Sequence, residues 1–223
     1  RASRTCDDPT MALQLILVRH GETAWSRTGR HTGRSDLALT DVGRNEAEAV
    51  ARTLDDWPID RVYSSPLVRA RETAELAGFG AGVELDDDLM EWDYGVYEGK
   101  RTTDTRETIA DWSVWTHEII GGESVDDVGD RADAFLRRVA SDVDRDVIIE
   151  ANGVDDHTAV VFAHGHLLAV LIARWCGLPA VEGRRFALAT ATVSLLGAHR
   201  EDRVVRALNH RCGDRLHPPA RVT

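Results

Sequence analysis

The sequence predicts an α/β fold, and three observations carry that prediction. The apolar run over residues 13–18 ends abruptly in Arg19-His20-Gly21. A second apolar run, over 158–163, ends in His164-Gly165-His166 and leads straight into an apolar helical stretch. Between them, amphipathic helical segments alternate with short apolar runs. Strands covered on both faces read as continuous apolar runs, and ligands of such sheets collect at the strand C-termini. His20 and His164 therefore fall where a site would be built, with Arg19 as a fixed cation beside the first.

The 223 residues, 43 % of them hydrophobic, suffice for one large domain or two small ones. No linker and no internal repeat divides the chain. It reads as a disordered tail over 1–12, a single domain over 13–208 with a cap-like insertion over about 84–122, and a C-terminal tail over 209–223. With 27 basic against 38 acidic residues, the net charge of −11 argues against a nucleic-acid partner or an anionic membrane surface. An anionic ligand would have to meet cations concentrated locally. Cys6, Cys176 and Cys212 are odd in number and unpatterned, which suggests neither a disulfide framework nor a zinc site. No stretch approaches the length of a transmembrane helix and no apolar signal-peptide core is visible, so a cytoplasmic setting is expected. The sequence leaves a homodimer open.

In chain order, residues 23–39 contain Gly29 and Gly33 without a clean period and read as a loop rich in Arg27, Arg30, His31 and Arg34. Thr40 as N-cap, followed by Asp41 at the positive helix end, opens a helix to about residue 54. Ala47, Val50, Ala51 and Leu54 form its buried face, and Trp57-Pro58 stops it. Residues 61–63 make a short strand. Ser65 as N-cap with Pro66 at the first helical position predicts the next helix. Arg69 then lies in the first turn near the sheet edge, while Arg71 points elsewhere.

Glycines over 78–82 break that helix and 83–85 form a short strand. Asp86-Asp87-Asp88 reads as a solvated turn rather than a metal site. Residues 89–99 mix aromatics with Glu91, Asp93 and Glu98 and read as a loop folded onto the domain. Residues 103–117 have helical character, with Ile109, Trp112 and Trp115 on one apolar stripe. Gly121-Gly122-Glu123-Ser124 turns into a further helix, capped by the Ser124–Asp127 pair and running to about residue 143. A polar connection over 144–156 precedes the second His-Gly. A helix over 167–176 ends at Gly177-Leu178-Pro179. Residues 191–196 and 203–208 close the chain as a hairpin, and 211–223 fray.

Two histidines, Arg19, Arg69 and the carboxylate of Glu91 suit phosphoryl transfer. Arginines neutralise phosphate charge and keep a neighbouring imidazole neutral. One imidazole can attack phosphorus, and the acid can protonate the leaving alcohol and then activate water. A metallohydrolase using His164 and His166 is a second reading, but no further ligand cluster accompanies the pair and the arginines repel a cation. A non-catalytic phosphate-binding module is a third; it would need neither nucleophile nor acid.

At these residues the chain resembles the histidine phosphatase (phosphoglycerate mutase-like) superfamily. The resemblance runs over roughly 13–198. It rests on Leu17-Val18-Arg19-His20-Gly21-Glu22-Thr23, Leu39-Thr40 with Gly43, Ser64-Ser65-Pro66 with Arg69-Ala70 and Thr73-Ala74, Glu91 with Tyr94-Gly95 and Glu98-Gly99, Gly122-Glu123-Ser124, and Ala163-His164-Gly165. It implies a three-layer sandwich with a mixed, mostly parallel sheet flanked by helices. It implies His20 as the phosphorylated nucleophile, Arg19, Arg69 and His164 as the phosphate pocket, Glu91 as proton donor, and no cofactor or metal. Substrate contacts carry over to Thr23, Ser26, Thr32, Gly33, Tyr94, Gly165 and His166.

Three departures separate the chain from the family's mutases: Ser26 and His166 stand where those have Asn, and Thr116-His117 where they have two arginines after a tryptophan. A hydrolase of small phosphate esters is therefore expected rather than a mutase. Within the phosphatases, the runs around Trp25, His31-Thr32-Gly33, Glu91-Trp92-Asp93-Tyr94-Gly95 and His164-Gly165-His166 resemble both acid phosphatases and sedoheptulose-1,7-bisphosphatases.

Overall fold

The computed structural model describes residues 13–149, 157–213 and 216–218. β1 (Gln14–Arg19), β2 (Arg61–Ser64), β3 (Glu84–Leu85) and β4 (Thr158–Ala163) are joined by the antiparallel hairpin β5 (Thr192–His199) and β6 (Asp202–Arg211) into one six-stranded sheet. The order is β3-β2-β4-β1-β5-β6, parallel through β1 and antiparallel beyond it. The expected mixed, mostly parallel sheet is what forms.

Period-2 alternation makes the sheet the middle of three layers. Leu15 and Leu17 of β1, with Ala159, Val161 and Ala163 of β4, face α4 (Val125–Ile149) and α5 (Gly165–Trp175). Ile16 and Val18, with Val160 and Phe162, face α1 (Asp41–Leu54) and α2 (Val68–Ala74). Both strands are buried along their length, which is why they read as unbroken apolar runs. The segment between β3 and α4, which includes the short α3 (Thr102–Arg106), packs Leu89, Trp92, Tyr94, Tyr97 and Trp112 into the same core as α4 and α5.

Several expectations are corrected. Ser65 does not cap α2: that helix begins at Val68, after extended Leu67, and the Ser65 hydroxyl turns inward to His164. On α1, Thr53 is buried where Ala51 was expected. Residues 103–117 do not form one helix; α3 ends at Arg106, Ile109 is exposed, and turns bring Trp112 inward. Asp86-Asp87-Asp88 is no solvated turn. Asp86 caps a short 3-10 turn, is 9 % exposed, and with Asp88 grips Arg138 of α4 at 2.5 and 2.8 Å. α4 runs to Ile149, beyond the expected end near 143. β6 extends through Arg211, so 209–211 belong to the sheet, and the Leu216 carbonyl accepts from Trp57 Nε1 rather than fraying. The expected tail over 1–12 and the connection over 150–156 lie outside the described residues. Among the described residues, no helix is long and apolar enough to cross a membrane.

Candidate active site

Parallel pairing of β1 with β4 puts Arg19 opposite Ala163, so both strands release a histidine at the same sheet edge. The His20 amide donates to the Ala163 carbonyl at 3.0 Å, and the His20 and His164 rings stand 5.2 Å apart. Gly21 is required by close approach: a Cβ there would lie 2.3 Å from the Gly43 carbonyl oxygen at the start of α1, and one on Gly43 would meet the Glu22 carbonyl at 2.2 Å. At the end of β1, the Ala191 amide bridges the Arg19 and His20 carbonyls at 3.0 and 3.1 Å.

His20 is 4 % exposed, and its Nδ1 lies 2.7 Å from the Gly21 carbonyl oxygen. That oxygen can only accept, so Nδ1 carries the proton and Nε2 keeps its lone pair. Burial first, then the charges of Arg19 and Arg69, hold His20 well below the usual imidazole range. Nε2 thus keeps its lone pair to lower pH than an ordinary imidazole does.

Arg19 bonds the Leu188 carbonyl through Nη1 at 2.5 Å, while its buried Nε has no protein partner among the described residues. Burial depresses its pKa. An anion beside His20 would answer both the bare donor and the desolvated charge. Gly165 leaves room for this guanidinium, since a Cβ there would come within 3.2 Å of Arg19 Cζ.

Arg69 and His164 are both fully buried. Arg69 Nε donates to His164 Nδ1 at 3.1 Å, so His164 carries its proton on Nε2 and gives it to Ser65 Oγ at 2.8 Å. The remaining donors of Arg69 reach the carbonyls of Thr32, Gly33 and Ser35 at 2.9–3.1 Å. Glu98 holds the same loop from the other side, accepting from the Gly33 and Ser35 amides. Through these bonds Arg69 fixes the loop over residues 32–35. Arg69→Lys should strip at least two of these carbonyls of a donor, and about 2 kcal/mol or more of stability should go with them. Urea unfolding reads this, and wild-type stability would mean the fork holds nothing in place.

Glu91 sits at the N-terminus of α5. Its Oε1 accepts from the Leu167 and Trp92 amides at 2.9 Å, and Oε2 from the His166 amide at 3.1 Å. The helix end thereby holds the carboxylate in one orientation. Tyr94 is buried and kept protonated by burial and by Glu91. Its hydroxyl and His166 Nδ1 share a hydrogen bond of 2.6 Å.

A cavity of about 390 Å³ opens over this edge. Of the expected residues it is lined by Arg19, His20, Ser26, Thr32, Glu91, Tyr94, Gly165 and His166. Arg69, His164, Thr23 and Gly33, also expected at the site, are not in its lining. Thr23 exchanges hydrogen bonds with Ser26 at 2.8 and 3.1 Å, and Gly33 is the loop hub described above. The lining also includes residues not assigned from the sequence: His31, Arg30, Trp115, Arg184 and Phe186. His31, its ring tilted against those of Tyr94 and His166 at 4.9 and 6.0 Å between centroids, is pushed by burial from 6.5 to about 4. Arg184 and Phe186 lie more than 90 residues from Glu91 in sequence, and no local pattern marks them. Among the described residues, no three His, Cys, Asp or Glu side chains converge as a metal site.

A sequence model of the histidine phosphatase superfamily (branch 1) matches residues 15–211. An acid phosphatase of Mycobacterium tuberculosis is 43 % identical over 186 residues, covering 82 % of this chain and 86 % of that one. A sedoheptulose 1,7-bisphosphatase of Saccharomyces cerevisiae is 33 % identical over 193 residues, covering 76 % and 70 %. The solved structure of the open reading frame Rv3214 from Mycobacterium tuberculosis superposes with a TM-score of 0.77 at 39 % identity, over 89 % of this chain and 98 % of that one.

Proposed function

Since the chain belongs to the histidine phosphatase superfamily, we propose that it is a metal-independent phosphomonoesterase acting on small phosphate esters through a phosphohistidine at His20. One observation carries this reading. A neutral His20 with its lone pair on Nε2 faces the same cavity as the bare Arg19 Nε and the Glu91 carboxyl group. The ester's phosphoryl group settles against Arg19. His20 Nε2 attacks phosphorus, the N–P bond forms and the bond to the leaving oxygen breaks. Glu91, entering as the acid, gives its proton to that oxygen. In the second half, Glu91 takes a proton from water. The water oxygen attacks phosphorus, the N–P bond breaks, inorganic phosphate leaves, and His20 and Glu91 return to their starting forms.

A phosphoglycerate mutase would need to retain and return the phosphoryl group. Thr116-His117 and His166, in place of the mutases' arginines and asparagine, argue for hydrolysis.

A narrower reading, a bisphosphatase for sugars such as sedoheptulose 1,7-bisphosphate, is favoured by the cavity rim. Arg30 and Arg184 line it in a chain of net charge −11. Glu182 is shared between Arg184 and Arg185, leaving the rim with surplus positive charge. Phosphate release should be measured in EDTA on sedoheptulose bisphosphate, fructose bisphosphate, 3-phosphoglycerate and p-nitrophenyl phosphate. Turnover that survives EDTA is expected; loss of turnover contradicts the metal-free reading. For the bisphosphatase reading, the double variant R30A/R184A should raise KM about fivefold to tenfold for a bisphosphate and leave p-nitrophenyl phosphate nearly unchanged. An equal change on both sinks the second-anion assignment.

A further inference from the structure

Glu91 is held by backbone amides at its carboxylate, but what holds the backbone of Glu91 itself comes from further away. Arg131, on α4, is mostly buried. Its Nη1 donates to the Asp88 carbonyl at 2.7 Å and to the Met90 carbonyl at 3.0 Å. Its Nε and Nη2 form a fork on Glu123, at 2.6 Å to Oε1 and 3.0 Å to Oε2. Glu123 then completes the grip from the other side. Its Oε2 accepts from the Asp93 amide at 2.9 Å, its carbonyl accepts from Trp92 Nε1 at 2.8 Å, and its amide donates to the Asp93 carbonyl at 3.0 Å. Residues 88, 90, 92 and 93 are thus all tied to one ion pair, and Glu91 is the residue they bracket. Arg34 closes the pair from the loop side, at 3.3 Å from Glu123 Oε2 and 3.9 Å from Asp93.

We infer that Arg131 and Glu123 are positioning residues for proton transfer: their fork sets where the Glu91 carboxyl group stands relative to the leaving oxygen. This rests on the reading of Glu91 as the proton donor. Neither residue lines the cavity. The fork is planar and two-pronged, and lysine can reproduce its charge but not both ends of it. Displacing a catalytic group by about 1 Å costs up to about 10²-fold. Proton donation matters only when the leaving oxygen needs a proton. An alkoxide needs one; a dinitrophenolate does not.

The test is therefore a ratio. kcat/KM, which reports the phosphorylation half-reaction, is measured for β-glycerophosphate and for 2,4-dinitrophenyl phosphate with wild type, R131K, E123Q and E91Q. Because both esters are assayed on one preparation, the ratio is independent of the fraction folded. R131K and E123Q should lose about tenfold to 10²-fold on the glycerol ester and less than about threefold on the activated ester. Equal losses on both, or no loss on either, overturn the positioning role. E91Q separates the two levels. If it discriminates between the esters and the fork variants do not, the inference alone fails; if E91Q itself loses equally on both, the proton-donor assignment fails first.

Discussion

His20→Ala should abolish phosphate release from every ester, a loss on the order of 10⁴–10⁶-fold, because it removes the atom that accepts the phosphoryl group. The folded state should survive. The imidazole's protein bond runs from Nδ1 to the adjacent Gly21 carbonyl, and the strand is held by backbone pairing to Ala163 and Ala191. Binding of inorganic phosphate should survive as well, since the Arg19 donor is untouched. The wild-type pH profile bears on the same residue. With its pKa depressed well below 6.5, His20 is already deprotonated on the acid side of 6.5 and loses its nucleophilic lone pair only at lower pH. Activity should therefore not fall by half as pH drops through 6.5, as it would for an ordinary imidazole. A robustly active H20A enzyme, measured by phosphate release, would remove His20 from the reaction.

Glu91→Gln should slow turnover of alkyl phosphates by about 10²–10⁴-fold, the usual range for a general acid. Glutamine is nearly isosteric; its carbonyl oxygen can keep the Leu167 and Trp92 amides, while its NH2 group cannot accept from the His166 amide, so the variant loses the proton and one backbone hydrogen bond. The same variant should hydrolyse the phosphohistidine slowly, because water loses its base. A fall of less than about tenfold in kcat/KM for an alkyl ester would place the proton elsewhere, with Tyr94 and His166 the neighbours to examine.

What could be read from the sequence divides along physical lines. β1 and β4 are legible because strands buried on both faces are apolar at every position, and their His-Gly endings mark where the sheet opens. Thr40 is legible as a cap because capping is local, and its hydroxyl does accept from the Gly43 amide. Ser65-Pro66 carries the same local signature and misleads, because His164, 99 residues away, recruits the hydroxyl. Trp112 is buried and Trp115 lines the cavity without sharing a helix; turns orient them, so an apolar spacing near 3.6 was coincidence. Asp86 and Asp88 looked solvated because their partner, Arg138, is 52 and 50 residues on. Arg131 and Glu123 were invisible as a unit for a related reason: the fork acts on backbone carbonyls and amides, which leave no mark in the side-chain pattern.

The central claim is the covalent intermediate at His20. Its direct test uses the Glu91→Gln enzyme with 2,4-dinitrophenyl phosphate, an ester that needs no acid to leave but whose phosphoenzyme needs a base to hydrolyse. The mixture is quenched in alkali during turnover, digested and mapped by mass spectrometry. The account predicts one phosphoryl group on the peptide carrying His20, absent when His20 is also replaced by Ala. Phosphoryl transfer to another residue, or steady phosphate release with His20 unmodified throughout, would contradict it.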